Sequence, residues 1–167
     1  MKIFLTGRAG SGKSTVLLKA IELLKNKGLK VGGIVTPEIR EEGKRVGFYV
    51  KDVFSQAMEV FASVDFKIEP KLGKYGIDVE AFEKVALPAI DFAIENCDVV
   101  VIDEIGKMEF FSENFKKKIF ALVLLDKPLI AVLHRNFVKQ FKQFGEILEV
   151  NQENREKLPE ELARSIS

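Results

Sequence analysis

The sequence predicts a three-layer α/β/α fold with a central, mostly parallel sheet and an antiparallel hairpin extension, organised as a single domain over residues 1–167. Three observations predict it. A short apolar run, Lys2-Ile3-Phe4-Leu5, passes through a glycine-rich turn into a segment of helical composition, Val16 to Leu24. The unbroken apolar runs Val99 to Ile102 and Leu129 to Leu133 have the character of strands covered on both faces, as parallel strands are. Helical stretches separate these runs, an alternation that places parallel strands side by side with helices packed above and below. The chain has 167 residues, enough to bury one core of its own, and it carries no internal repeat or linker.

The first turn reads Gly7-Arg8-Ala9-Gly10-Ser11-Gly12-Lys13-Ser14, followed by Thr15, and matches G-x-x-x-x-G-K-S/T in full. Its glycines let the backbone curl so that successive N–H groups point inward, and the helix starting near Lys13 adds the positive end of its dipole. Such a loop holds a phosphate chain. Lys13 is then expected at the β- and γ-phosphates of a nucleoside triphosphate, and the Ser14 hydroxyl at Mg²⁺.

Lys27-Gly28-Leu29 ends the first helix, and Lys30 to Val35 is β-prone. Thr36 to Arg40 continues in extended form, Glu41 to Lys44 is a polar turn, and Arg45 to Val53 returns as a strand, with Met58 to Ala62 extending the hairpin. Asp65 to Gly76 holds Pro70, Gly73 and Gly76 without periodicity and reads as a mobile loop over the nucleotide site. Asp78 is the expected N-cap of a long helix through Ile94, bent at Pro88. After the strand ending at Asp103, a helix opens at Ser112 or Glu113 and runs to Leu124. Lys127 to Leu133 is a buried strand, Phe137 to Phe141 a short helix, Glu146 to Val150 a strand, and Gln152 to Ser165 the final helix.

Composition narrows the partners. Hydrophobic residues make up 47% and charged residues 31%, and Lys+Arg 26 against Asp+Glu 25 gives a net charge of +1. That charge provides no broad basic field, so nucleic acid is not an expected partner and a polyanion has to be met locally. No apolar run is long enough to span a bilayer, no leader segment is evident, and the single cysteine, Cys97, has no partner for a disulfide or a zinc site. The expected setting is the cytoplasm, with no membrane partner; no protein partner is readable.

A triphosphate on backbone amides and Lys13 still carries excess negative charge, so Mg²⁺ is expected with a carboxylate at the end of a nearby strand. Asp103 closes the Val99 to Ile102 run, and ligands of open α/β sheets sit at the carboxyl ends of strands. With Asp103 on the metal, the adjacent Glu104 is free to take a proton from an attacking water. Two consecutive acids with separate tasks point to hydrolysis.

Several strings together are similar to a known group. They are Phe4-Leu5-Thr6-Gly7 with the phosphate loop, Thr36-Pro37-Glu38-Ile39-Arg40 with Val46-Gly47-Phe48, Phe82 to Pro88, Val101-Ile102-Asp103-Glu104-Ile105-Gly106-Lys107-Met108-Glu109, and Asn151-Gln152-Glu153-Asn154-Arg155. The chain resembles the family of small nucleoside-triphosphatases that includes the cancer-related nucleoside-triphosphatase and its archaeal and thermophilic bacterial relatives. That resemblance implies a P-loop fold of the RecA-like type and slow, Mg²⁺-dependent hydrolysis of ATP, GTP and other triphosphates to diphosphate and phosphate. It puts phosphate binding on Gly7 to Ser14, metal positioning on Ser14 and Asp103, and water activation on Glu104. Lys107 is open between reaching the γ-phosphate and pairing with Glu109. Arg135, after the Leu129 to Leu133 strand, is a candidate arginine finger, while His134 reads as a structural residue. Asn154, with Arg155, is a candidate contact to the base, set against a capping role. Arg40 is a candidate phosphate or partner contact, set against solvated surface.

Two other functions share the loop. A nucleoside, nucleotide or polynucleotide kinase would use it with an acceptor, although the expected lid at Asp65 to Gly76 has lysines and no arginine. A nucleotide-switched binding module would use the Val31 to Val53 hairpin as its partner surface.

Overall fold

A computed structural model describes residues 1–166; Ser167, the last residue of the expected 1–167 domain, lies outside the described residues. Strand β1 (Lys2–Thr6) feeds the glycine-rich turn, and α1 (Lys13–Asn26) follows it. Gly12 stands at the helix entry with φ 102° and no side chain caps the first turn, so its N–H groups are left for a ligand. β2 (Val31–Val35) is followed by the hairpin β3 (Glu38–Glu41) and β4 (Lys44–Asp52), and β5 (Met58–Ser63) extends it.

The Asp65 to Gly76 segment departs from the expected loop. It contains β6 (Lys71–Leu72) and the start of β7 (Tyr75–Ile77), which pair with each other, while β7 pairs with β5. Gly76 makes this possible, because a Cβ there would lie 2.2 Å from the Phe66 carbonyl oxygen. Helix α2 (Val79–Asn96) starts as expected, with the Asp78 carboxylate accepting the Ala81 N–H at 3.0 Å, and runs on through Pro88. Then come β8 (Val99–Ile105), α3 (Glu113–Leu122), β9 (Leu129–Leu133), α4 (Val138–Phe141), β10 (Glu146–Glu149) and α5 (Leu158–Ser165). The last helix is shorter than expected. Residues 152–157 form turns instead, tied by the Asn151 and Asn154 side chains to nearby backbone.

The strands make one ten-stranded sheet in the order β10-β1-β9-β8-β2-β4-β5-β7-β6, with β3 beside β4. β10, β1, β9, β8 and β2 are parallel, and the hairpin strands continue the sheet antiparallel from β2. Alternate residues face opposite layers. Ile3, Leu5, Val101 and Val132 meet α1 and α5 through Val16, Leu17, Leu24 and Leu162. Phe4, Val100, Ile102 and Ala131 meet α2 and α3 through Phe82, Ala89, Phe115 and Ile119. Cys97 is part of this packing: its Sγ lies 2.7 Å from where a Cβ on Gly32 would stand, and burial pushes its thiol pKa up. Among the described residues no helix is long and apolar enough to cross a membrane.

For the site, the order of the central strands matters most. β9 lies between β1 and β8, so the loop after β1 and the acids ending β8 are separated by one strand, roughly 10 Å between strand axes.

Candidate active site

The Gly7 to Ser14 loop closes on itself. The Ser11 N–H donates to the Arg8 carbonyl at 3.1 Å, and the Lys13 ammonium donates to the Gly7 carbonyl at 2.7 Å and the Arg8 carbonyl at 3.4 Å. Among the described residues the buried hydroxyls of Thr6 and Ser11 have no hydrogen-bond partner. A cradle of free N–H groups with an orphaned Ser11 hydroxyl and a lysine over it fits an anionic ligand. On its outer side the loop is bounded by β10 and the turns after it: a Cβ on Gly7 would lie 2.7 Å from the Val150 carbonyl oxygen, and one on Gly12 would lie 3.3 Å from Cδ of Arg155.

Across β9, the end of β8 brings up the acids. Asp103 is 6% exposed, and the Thr36 hydroxyl donates to its backbone carbonyl at 2.7 Å. Burial, then the charge of Glu104, raises the Asp103 pKa to about 7, while the Ser14 hydroxyl and the Lys13 ammonium pull it back. Ser14, Lys13 and Asp103 are therefore neighbours. Burial also raises Glu104, and of the neighbouring groups that oppose it Lys13 acts most strongly, then His134 and Arg45.

Glu109, in a 3-10 turn at Glu109–Phe111, is 3% exposed, and among the described residues one of its carboxyl oxygens has no partner. Burial and the charge of Glu104 hold it well above the carboxylate range. Gly106 permits the approach: a Cβ there would lie 3.0 Å from Oε1 of Glu109 and 3.3 Å from Oε1 of Glu104. Among the described residues no group of three or more His, Cys, Asp and Glu side chains forms a metal cage.

The NTPase family model matches residues 2–163 of the chain. The chain belongs to the NTPase family. Nucleoside-triphosphatase THEP1 of Methanocaldococcus jannaschii is 46% identical to it over 167 residues, 99% of this chain and 97% of that protein. The crystal structure of THEP1 from the hyperthermophile Aquifex aeolicus aligns with a TM-score of 0.89 at 28% identity, covering 100% of this chain and 99% of that one. The solution structure of a human cancer-related nucleoside triphosphatase aligns with a TM-score of 0.80 at 30% identity, covering 99% and 97%. Membership makes the protein an NTPase enzyme, and the resemblance read from Asp103 to Glu109 and the phosphate loop holds for family and fold alike.

The other candidates of this NTPase fall differently. Arg135 is exposed on a 3-10 turn, Arg135–Phe137, and its neighbour His134 is the residue that comes near Glu104. His134 caps that turn, its Nδ1 accepting the Asn136 N–H at 3.2 Å, and lines the cavity that Glu104 and Glu109 share. Lys107 is exposed and lines the same cavity; among the described residues no ion pair joins it to Glu109. Asn154 is committed to the turns after β10: its Nδ2 donates to the Glu149 carbonyl at 2.7 Å and its Oδ1 accepts the Asn151 N–H at 2.9 Å. These bonds lie within the turns and do not cap α5, whose N-cap is Lys157 with no side-chain cap, and Arg155 beside Asn154 is the side chain against the phosphate loop. Arg40 donates to the Gly43 carbonyl at 2.9 Å and pairs with Glu38 at 3.4 Å on the exposed hairpin. Arg45, Thr36 and Glu109 were not singled out for the site by the sequence, because sheet order brings the first two toward the end of β8 and the turn at Gly106 brings Glu109.

Proposed function

We propose that the protein is a Mg²⁺-dependent nucleoside-triphosphatase that transfers the γ-phosphoryl group of ATP, GTP and other triphosphates to water, with little selectivity for the base. The observation that carries this is the loop after β1, with Lys13 on the Gly7 carbonyl at 2.7 Å and a buried Ser11 hydroxyl without a partner among the described residues, one strand away from Asp103 and Glu104 in β8. A loop that binds phosphate and a carboxyl group able to take a proton are thereby within reach of one γ-phosphate. The continuous ten-stranded sheet supports reading residues 1–167 as one domain, and the buried thiol of Cys97 fits a cytoplasmic setting.

The donors at the site fit magnesium. Ser14 and Asp103 would hold it through hard oxygens, and so few protein ligands suit an ion that keeps waters and phosphate oxygens in its shell. Bound there, it would neutralise charge developing on the β- and γ-phosphates. The remaining work belongs to the chain. Loop N–H groups from Gly7 to Ser14 bind and orient the phosphates, and Lys13 exchanges the Gly7 carbonyl for a phosphate oxygen. Glu104, its basicity raised by burial, accepts a proton from water. The water oxygen bonds to the γ-phosphorus as the bond to the β–γ bridging oxygen breaks, and the diphosphate leaves with that electron pair.

Glu104→Gln tests the reading. Nucleotide binding should persist while phosphate release falls about 10²-fold or more. Turnover at the wild-type rate would remove Glu104 from the role of base.

A further inference from the structure

Glu104 also forms part of a cavity that water hydrolysis does not require. It encloses about 150 Å³ and includes no residue of the phosphate loop. Phe48 of β4, Leu72 of β6 and Met108 give it apolar walls, and Glu104, Glu109 and His134 give it polar ones. An apolar enclosure with a few converging polar groups is the make-up of a small-molecule site. Two details strengthen this. The Phe48 ring is fixed edge-on against Tyr75, with centroids 5.5 Å apart at 67°, so it offers a set surface rather than a mobile one. Glu109 is 3% exposed and lines the cavity, and among the described residues its Oε1 has no hydrogen-bond partner, so its carboxyl group has hydrogen-bonding capacity that the chain does not use.

We propose that this cavity binds a second substrate, a pyrimidine nucleoside, whose hydroxyl receives the γ-phosphoryl group in competition with water. The proposal rests on the reading of Glu104 as the base. A single six-membered ring suits the volume and the aromatic wall, its polar edge meets the Glu109 carboxyl group, and the sugar remains at the mouth near Glu104. Glu104 takes the proton of the sugar hydroxyl and that oxygen bonds to the γ-phosphorus. The bond to the β–γ bridging oxygen breaks, and the nucleoside diphosphate leaves with the electron pair. The products are a pyrimidine nucleoside monophosphate and a nucleoside diphosphate, and Glu104 returns its proton to solvent.

The test uses full-length protein, ATP radiolabelled in the γ-position, Mg²⁺, and cytidine or uridine at millimolar concentration, with phosphate and nucleoside monophosphate separated by thin-layer chromatography. Labelled monophosphate is expected beside free phosphate. Leu72→Trp, which fills the cavity, should cut the acceptor's share of transferred label about tenfold or more, and Phe48→Ala should cut it as well. Because the share is a ratio within each sample, loss of folded protein does not mimic the effect. Free phosphate without labelled monophosphate from either nucleoside, or a share unmoved by both variants, would overturn the second substrate and leave the hydrolase standing. Neither product in wild-type protein would overturn the hydrolase, and the acceptor with it.

Discussion

Asp103→Asn is expected to make the metal-free protein more stable at alkaline pH while abolishing the Mg²⁺-dependent phosphate release proposed for it. Asp103 is 6% exposed, and burial with the Glu104 charge lifts its pKa from the ordinary 3.8 to about 7. The folded protein therefore keeps a proton on Asp103 that the unfolded chain gives up near pH 4. The stability linked to that proton is complete below about pH 4, is lost as pH rises to about 7, and changes no further above it. At about 1.4 kcal/mol for each pH unit, the full loss is roughly 4 kcal/mol, and side-chain relaxation with water entry reduces it to about 2–4 kcal/mol. Asparagine keeps the shape and carries no charge, so the variant escapes this loss. Glu104 and Glu109 are raised too and shift both proteins in the same direction. Urea unfolding with a chelator present, followed from about pH 4 to about pH 8, should show the variant gaining on the wild type with rising pH. A variant equal to or weaker than wild type at about pH 8, or a difference that does not widen, would refute the burial argument.

Lys13→Ala removes the ammonium now held on the Gly7 carbonyl at 2.7 Å, and phosphate release measured colorimetrically should fall about 10²–10³-fold while circular dichroism is unchanged. Wild-type release would contradict the role given to the lysine. Gly33→Ala should destabilise the protein by on the order of 3 kcal/mol or more, seen as a lowered Tm. Gly33 has φ +123°, and a Cβ there would lie 1.9 Å from the Val101 carbonyl oxygen in β8, so an unchanged Tm would show that β2 and β8 can part freely. Ser112→Ala removes the side chain that accepts the Phe115 N–H at 3.0 Å and donates to Glu83, and urea unfolding should register a loss of about 1–2 kcal/mol.

The phosphate loop was legible because its chemistry is contiguous: Gly7 to Ser14 is one turn, flanked by a strand and a helix that each have their own local pattern. Asp103 and Glu104 were legible through a rule about where strands end in α/β sheets, and Asp78 through the local chemistry of capping. What escaped depends on pairing between distant segments. Lys71–Leu72 and Tyr75–Ile77 are too short to show a period, and they are strands because β5 and the contact of Gly76 with Phe66 fix them. The turns at 152–157 displaced a helix start because the Asn151 and Asn154 side chains satisfy backbone groups that a first helical turn would otherwise present. Arg155 against Gly12, Thr36 on the Asp103 carbonyl and His134 near Glu104 all follow from strand order, which no single stretch of sequence encodes. Glu109 stood in plain view within the Asp103 to Glu109 string, but its burial is a property of the turn at Gly106.

A crystal structure of the protein with Mg²⁺ and a non-hydrolysable triphosphate analogue tests the central claim most directly. The account predicts the phosphate chain wrapped by Gly7 to Ser14, the ion touching the Ser14 hydroxyl and the Asp103 carboxylate, and a water between Glu104 and the γ-phosphorus. A phosphate chain bound away from that loop, or a Glu104 carboxylate turned from the γ-phosphate with no water in between, would contradict it.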